Sequence, residues 1–187
     1  SENHITGSLP NFSIFPSLKN LNLSKNELNG TLPKSIGNLY NLKLLSISSN
    51  NLQGVISDSF FSNFSKLRSL DLSSTSLSLK FSLDWVPPFQ LDRIYLTSCN
   101  LGPRFPNWIQ TQRKISFLHL SDANISDTIP TKWLENLPHT LMALNLSNNQ
   151  IHGQLPNVSA KSLNGLAIDL SANHIEGPLP LFPTNLT

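Results

Sequence analysis

The strongest constraint on this chain is a phrase that returns about every 24 residues. Residues 18–33 read LKNLNLSKNELNGTLP, and residues 141–156 read LMALNLSNNQIHGQLP with the same apolar spacing. The shared template is L-x-x-L-x-L-x-x-N-x-L-x-G-x-L-P. Anchored on its asparagine, the copies fall at Asn3, Asn26, Asn50, Thr75, Cys99, Ala123, Asn149 and Asn173, with successive spacings of 23, 24, 25, 24, 24, 26 and 24 residues. In Leu21-Asn22-Leu23 two leucines bracket a polar residue, the alternation of a half-buried strand. Leu18, Leu21, Leu23, Leu28 and Leu32 are expected to point inward. Each buried Leu contributes roughly 1.5–3 kcal/mol. A single copy still cannot close a core, because both of its flat faces stay wet until neighbours stack on them.

A fixed period of 20–29 residues with this leucine pattern is the signature of a leucine-rich repeat. The expected fold is an α/β leucine-rich-repeat right-handed solenoid, with a concave parallel β-sheet and an irregular or 3-10 convex side. Residues 1–187 read as one array of about seven full repeats plus a partial one, with capping segments missing at both ends, as in a piece of a longer protein. Asn26, Asn50, Asn149 and Asn173 are expected to form an internal ladder that satisfies backbone groups at the turn after each strand. Gly30, Gly54, Gly153 and Gly177 relieve a bend, and the following Pro ends local hydrogen bonding. The register has defects. Thr75 and Cys99 bond more weakly than Asn, Ala123 cannot bond, and Gly165 replaces the first Leu of the last full repeat, with Leu163 or Leu166 to compensate. The middle of the solenoid is therefore expected to twist differently from its ends.

Charge excludes one class of partner. The formal net charge is +2, only 13% of residues are charged and no basic block occurs, so nucleic acid is not the ligand. No apolar run reaches the roughly 18–20 residues that span a membrane, and no signal peptide begins the chain. The lone Cys99 falls in the ladder row, where a small buried thiol serves the core. Sequons carry the information about compartment that cysteines do not. Asn-x-Ser/Thr occurs at Asn11, Asn22, Asn29, Asn63, Asn124, Asn145, Asn157 and Asn185. The template generates those at Asn22 and Asn145 by itself; the other six favour a secreted, N-glycosylated protein.

Three stretches exceed the generic repeat: DWVPPFQL at 84–91, GPRFPNWIQTQ at 102–112 and SDANISDTIPTKW at 121–133. Together with LPLFPTNL at 179–186 they resemble plant receptor-like proteins of the Cf and ethylene-inducing-xylanase-receptor type, and the Gly-x-Leu/Ile-Pro ending resembles the plant-type repeat subclass. The resemblance implies a solenoid on the extracellular face of the plasma membrane, with a membrane anchor outside this segment. It also implies a protein or peptide ligand, microbial ones included, and a co-receptor kinase contacted through repeats not present here. No cofactor is implied. Read from the residues alone, Trp85, Pro87, Pro88, Phe89, Phe105 and Trp108 fill the convex side and the repeat junctions.

The register also predicts which side chains line the concave sheet. One row reads Asn22, Ser46, Asp71, Tyr95, His119, Asn145, Asp169, and the row two residues earlier reads Asn20, Leu44, Ser69, Arg93, Phe117, Ala143, Ala167. The row two residues later is uniformly Ser or Thr and serves the turn. Large amphipathic groups gather in repeats 3–5, where Asp71, Arg93, Tyr95, Phe117 and His119 form the candidate ligand-binding patch. The alternative is a solvated face on which Asp71, Arg93 and Asp122 pair with one another, worth only about 0–1 kcal/mol per exposed pair. Glycans on Asn22 and Asn145 would shield repeats 1 and 6 and leave repeats 3–5 open.

These features bear on what a chain of this kind can do. The leading reading is the ligand-recognition segment of a receptor-like protein in immune or developmental signalling. The alternative is a secreted inhibitor of cell-wall hydrolases, similar to the polygalacturonase-inhibiting proteins. Catalysis is not expected. Asp71 and Asp169 share a row but lie four repeats apart, roughly 19 Å, too far for paired-carboxylate glycoside chemistry. The five histidines lack metal-ligand spacing, and no nucleophile motif is present.

Overall fold

A computed structural model of the chain describes residues 2–156 and 165–179. Thirteen short strands occur among the described residues. They are β1 (Thr6–Ser8), β2 (Asn20–Asn22), β3 (Glu27–Gly30), β4 (Leu44–Ser46), β5 (Asn51–Ser57), β6 (Ser69–Asp71), β7 (Ser76–Lys80), β8 (Arg93–Tyr95), β9 (Phe117–His119), β10 (Ala143–Asn145), β11 (His152–Gln154), β12 (Ala167–Asp169) and β13 (His174–Glu176). Seven of them, in the order β2-β4-β6-β8-β9-β10-β12, pair in parallel as one sheet, one strand per repeat. Register is maintained throughout: Leu21 aligns with Leu45, Leu70, Ile94, Leu118, Leu144 and Ile168. The first six of these are buried, while Ile168 at the end of the sheet is exposed. Of the leucines expected inside the first repeat, Leu21 and Leu28 are buried, and Leu18, Leu23 and Leu32 pack against the core from partly buried positions.

The turn after each strand uses one device in every repeat. The residue before the ladder position is left-handed at Lys25, Ser49, Ser74, Ser98, Asp122, Asn148 and Ala172, with φ between 52° and 57°. That turns the chain sharply and aims the next side chain inward. Asn50 then donates to the carbonyls of Leu23, Ile47 and Ser48 while its Oδ1 accepts the Leu28 amide. Asn149 donates to Leu120, Leu146 and Ser147 and accepts the amides of both Ala123 and Ile125. Asn26 and Asn173 bond in the same manner. Each asparagine therefore stitches its own turn to the preceding repeat.

The defects are absorbed locally. The Thr75 hydroxyl and the Cys99 thiol both donate to the Leu72 carbonyl, at 2.7 and 3.1 Å. The Leu96 carbonyl, one repeat on, takes the Cys99 amide instead of a side chain. Ala123 donates nothing from its side chain, but its carbonyl accepts the amides of Leu101 and Gly102. Burial pushes the Cys99 thiol up to about 12, so it stays protonated, as befits a core residue. In the last repeat Leu166 packs partly buried against the core where Gly165 interrupts the template; Leu163 lies outside the described residues.

A second sheet, which the repeat pattern does not predict, runs alongside the first. β1-β3-β5-β7 pair in parallel on the flank past the ladder, and β11 pairs with β13. Between them, only the Ser78–Asn100 bridge continues the flank sheet. Gly30, Gly54 and Gly153 sit inside these strands at φ of 78°, 116° and 91°, which produces the expected bend. The convex side carries 3-10 turns at Phe12–Ile14, Ile36–Asn38 and Asn107–Thr111, with two short helices, α1 (Asp58–Phe61) and α2 (Thr131–Glu135). Here the aromatic residues of the distinctive stretches act as filler. Phe89, Phe105 and Trp108 are buried, Pro87 is buried while Pro88 is exposed, and Phe81 stacks on Trp85 at 4.5 Å. Phe61 lies within 6.0 Å of Phe60, Phe64, Phe81, Trp85 and Phe89.

Candidate ligand-binding surface

Pairing of β6, β8 and β9 brings the five candidate residues together. Ser69, Arg93 and Phe117 form one line across the strands, and Asp71, Tyr95 and His119 form the next. The two lines are two residues apart along the same strands, so all five side chains leave one face within three strand widths. Adjacent strands lie about 4.8 Å apart. Asp71, Tyr95, Phe117 and His119 are partly buried and Arg93 is exposed, so the patch is reachable from solvent.

Within the patch two pairs form. The Arg93 guanidinium lies 6.0 Å from the Phe117 ring centroid, at the outer limit of a cation–π contact. The Tyr95 and His119 rings meet edge to face at 5.0 Å and 75°. These contacts pair four large side chains on a sheet whose other concave positions carry smaller residues apart from Leu44. Burial holds the His119 imidazole below its ordinary titration range, so it stays neutral near pH 7.

Asp71 takes a different role from the one the pattern allowed. Its Oδ2 accepts the hydroxyls of Ser46 and Ser48 at 3.0 and 2.6 Å, and its Oδ1 accepts the Ser73 amide. Asp122 accepts the Ser98 hydroxyl. The alternative pairing of Asp71, Arg93 and Asp122 is not formed; the ion pairs among the described residues are His4–Glu27 and Lys25–Glu2. Arg93 therefore keeps its charge available for another partner. The Ser/Thr row serves the turn as expected: Ser24, Ser147 and Ser171 donate to Asn22, Asn145 and Asp169, and Thr97 bonds Ser121.

Asn22 and Asn145 stand on the concave row as read from the register. Asn11, Asn22, Asn29, Asn63 and Asn124 are exposed and Asn145 is half exposed; Asn157 and Asn185 lie outside the described residues. Asp71 and Asp169 are separated by four strand steps in one line, through Tyr95, His119 and Asn145. No helix among the described residues is long and apolar enough to cross a membrane.

An open parallel sheet over an asparagine ladder, repeated every 24 residues or so, defines a leucine-rich-repeat solenoid. Leucine-rich-repeat family models match residues 16–77 and 140–161. The chain is 51% identical over 134 residues to receptor-like protein EIX2 of Solanum lycopersicum, covering 72% of this chain and 13% of that protein. It is 35% identical over 193 residues to receptor-like protein 39 of Arabidopsis thaliana, covering 98% of this chain and 21% of that protein. Among solved structures, the ectodomain of the plant membrane receptor kinase GASSHO1/SCHENGEN3, in complex with CASPARIAN STRIP INTEGRITY FACTOR 2, superposes with a TM-score of 0.76 at 26% identity. That match covers 93% of this chain and 21% of the other. The chain belongs to the plant leucine-rich-repeat receptor-like proteins and spans about a fifth or less of the length of these relatives.

Proposed function

We propose that this segment is an extracellular ligand-recognition surface of a plant receptor-like protein. It binds a protein or peptide on the concave face through Arg93, Tyr95, Phe117 and His119, with Asp71 ordering the floor beside them. The observation that carries this reading is the patch itself. Arg93, Tyr95, Phe117 and His119 rise together from a sheet whose two concave rows otherwise carry Asn, Ser, Ala and Asp, with Leu44 the one other large side chain, and none is consumed by the core or by an ion pair. Tyr and Arg are the residue types that dominate binding energy at interfaces. GASSHO1/SCHENGEN3, of the same fold, is an ectodomain solved with a bound factor. The relatives carry the receptor-like name, and nothing in the geometry favours the hydrolase-inhibitor alternative over it.

Exposed sequons on several faces support residence on the extracellular side of the plasma membrane, with N-linked glycans flanking the patch at Asn22 and Asn145. Residues 1–187 act as one uninterrupted recognition array, and a co-receptor kinase docks on repeats elsewhere in the full protein. The segment acts by binding; its two concave-row aspartates, four strand steps apart, are too distant for paired-carboxylate glycoside chemistry. The test is capture of the partner from apoplastic or microbial extracts on the immobilised chain, followed by titration of Tyr95→Ala and Phe117→Ala. Each variant is expected to weaken binding by about tenfold or more with an unchanged melting temperature. Full affinity in both variants refutes the assignment.

A further inference from the structure

The patch is continued on one side by a line of cations that no carboxylate neutralises. The residue entering each concave strand is Lys19, Lys43, Arg68, Asp92, Ser116 and Met142 in successive repeats. These residues stack directly: the Lys43 amide donates to the Lys19 carbonyl, Arg68 to Lys43 and Asp92 to Arg68. Three cationic residues therefore stand on successive strands whose backbones lie about 4.8 Å apart, and like charges on neighbouring strands cost stability in a sheet. Lys19, Lys43 and Arg68 are all exposed. None pairs with a carboxylate; Arg68 donates to the carbonyls of Leu67 and Gln90, although Asp92 follows it in the stack. Lys66, Arg113 and Lys114 lie just before the same strands, and Arg93 follows. Seven of the chain's 13 cationic residues thus fall at the starts of concave strands or within four residues of them, against a single acid, Asp92, in the strand-entry positions.

We propose that this edge is an anion-recognition strip for an acidic stretch of an extended peptide ligand, whose apolar anchor sits on Tyr95 and Phe117. The inference rests on the concave-face reading above and specifies the chemistry of its ligand. Charge complementarity calls for an anion over Lys19, Lys43 and Arg68. Continuity with the aromatic patch calls for a peptide, because a uniform acidic polysaccharide offers no apolar side chain to Tyr95 and Phe117. Geometry sets the spacing. From Lys43 to the midpoint of β8 and β9 is two and a half strand steps, about 12 Å, and an extended peptide rises about 3.3 Å per residue. The acidic stretch is therefore centred about four residues from the anchor.

The experiment uses two dye-labelled peptides, Glu-Glu-Glu-Gly-Gly-Trp and its Gln-Gln-Gln counterpart, titrated against the intact chain by fluorescence anisotropy. In about 10 mM salt, where the Debye length is about 30 Å, the glutamate peptide is expected to bind about tenfold more tightly, with the ratio shrinking at about 150 mM. Lys43→Glu with Arg68→Glu abolishes the ratio and spares the glutamine peptide. Lys43→Gln with Arg68→Gln, a milder pair at exposed positions, abolishes it too and guards against misfolding. A ratio near one on the native chain, no saturable binding of either peptide, or a ratio that survives both double variants overturns the strip. A uronic-acid oligomer of equal charge that binds more tightly than the glutamate peptide overturns the assignment to a peptide. Tyr95→Ala weakens both peptides alike. If it weakens neither while the ratio still depends on Lys43 and Arg68, the aromatic-patch reading falls and the strip stands.

Discussion

Replacing Asn149 by Ala tests whether side-chain ladder bonds hold the repeats together. Asn149 is 7% exposed and makes five hydrogen bonds. Two of its partners survive its loss: the Ser147 carbonyl also accepts the Asp122 amide, and the Leu146 carbonyl also accepts from Asn173. Three do not, namely the Leu120 carbonyl and the amides of Ala123 and Ile125. Stranding a buried backbone group costs about 1–3 kcal/mol. With water entering the vacated turn to serve some of them, the sum is about 3–5 kcal/mol. For a urea m-value of about 2 kcal/mol/M, the unfolding midpoint falls by roughly 2 M. Circular dichroism during urea titration measures it. A loss below about 1 kcal/mol refutes the reasoning, because the three groups would then have partners the ladder does not supply. Ala123 shows why the chain tolerates alanine there and not at 149: the Leu96 carbonyl, which a longer side chain would have served, already takes the Cys99 amide.

Other consequences follow from the same structure. The folded-state pKa of His119 is depressed by burial, so the unfolded chain binds more protons; stability holds above the unfolded value of about 6.5 and falls as pH drops through it. Urea midpoints at pH 7.5 and 5.5 are expected to differ less in His119→Gln than in the parent; an equal difference removes His119 as the cause. Gly102→Ala places a Cβ 1.6 Å from the Asn124 carbonyl oxygen, so backbone must move, and its melting temperature falls further than that of Gly7→Ala, where no atom lies within 4 Å. Phe61→Ala removes a ring that is 1% exposed at the centre of the convex aromatic cluster and costs about 3–5 kcal/mol by chemical denaturation. Lys43→Gln relieves the stacked cations and raises stability by a few tenths of a kcal/mol at low salt, an effect that high salt erases.

Much of the architecture was legible because a 24-residue period leaves little freedom. The concave rows read from spacing match the strand register position for position, from Asn20 and Asn22 to Ala167 and Asp169. The ladder bonds and the turn-serving Ser/Thr row were legible for the same reason, since each role recurs at one template position. The flank sheet was not. It depends on neighbouring segments after the ladder lying close enough to pair, and Leu-Asn-Gly carries no alternation strong enough to announce a strand. The fate of Asp71 was equally hidden. Its carboxylate is drawn to Ser46 and Ser48 of the previous repeat, a contact set by stacking and invisible along the chain. The cation stack belongs with these, because Lys19, Lys43 and Arg68 are 24 and 25 residues apart and become neighbours only when the repeats pile up.

By itself the sequence determined the repeat, the parallel stacking, the buried leucines and the set of side chains that face the concave surface. A fixed period with alternating apolar residues admits one way to bury its leucines, and burial is worth more than any local preference. Tertiary structure decided how those side chains are employed. Distances between repeats determined that Asp71 is spent on serines, that Arg93 rests near Phe117 and not on an acid, and that Tyr95 props His119. A contact of a few ångströms between residues two dozen positions apart is a property of the stacked turns, and only the folded chain brings it about.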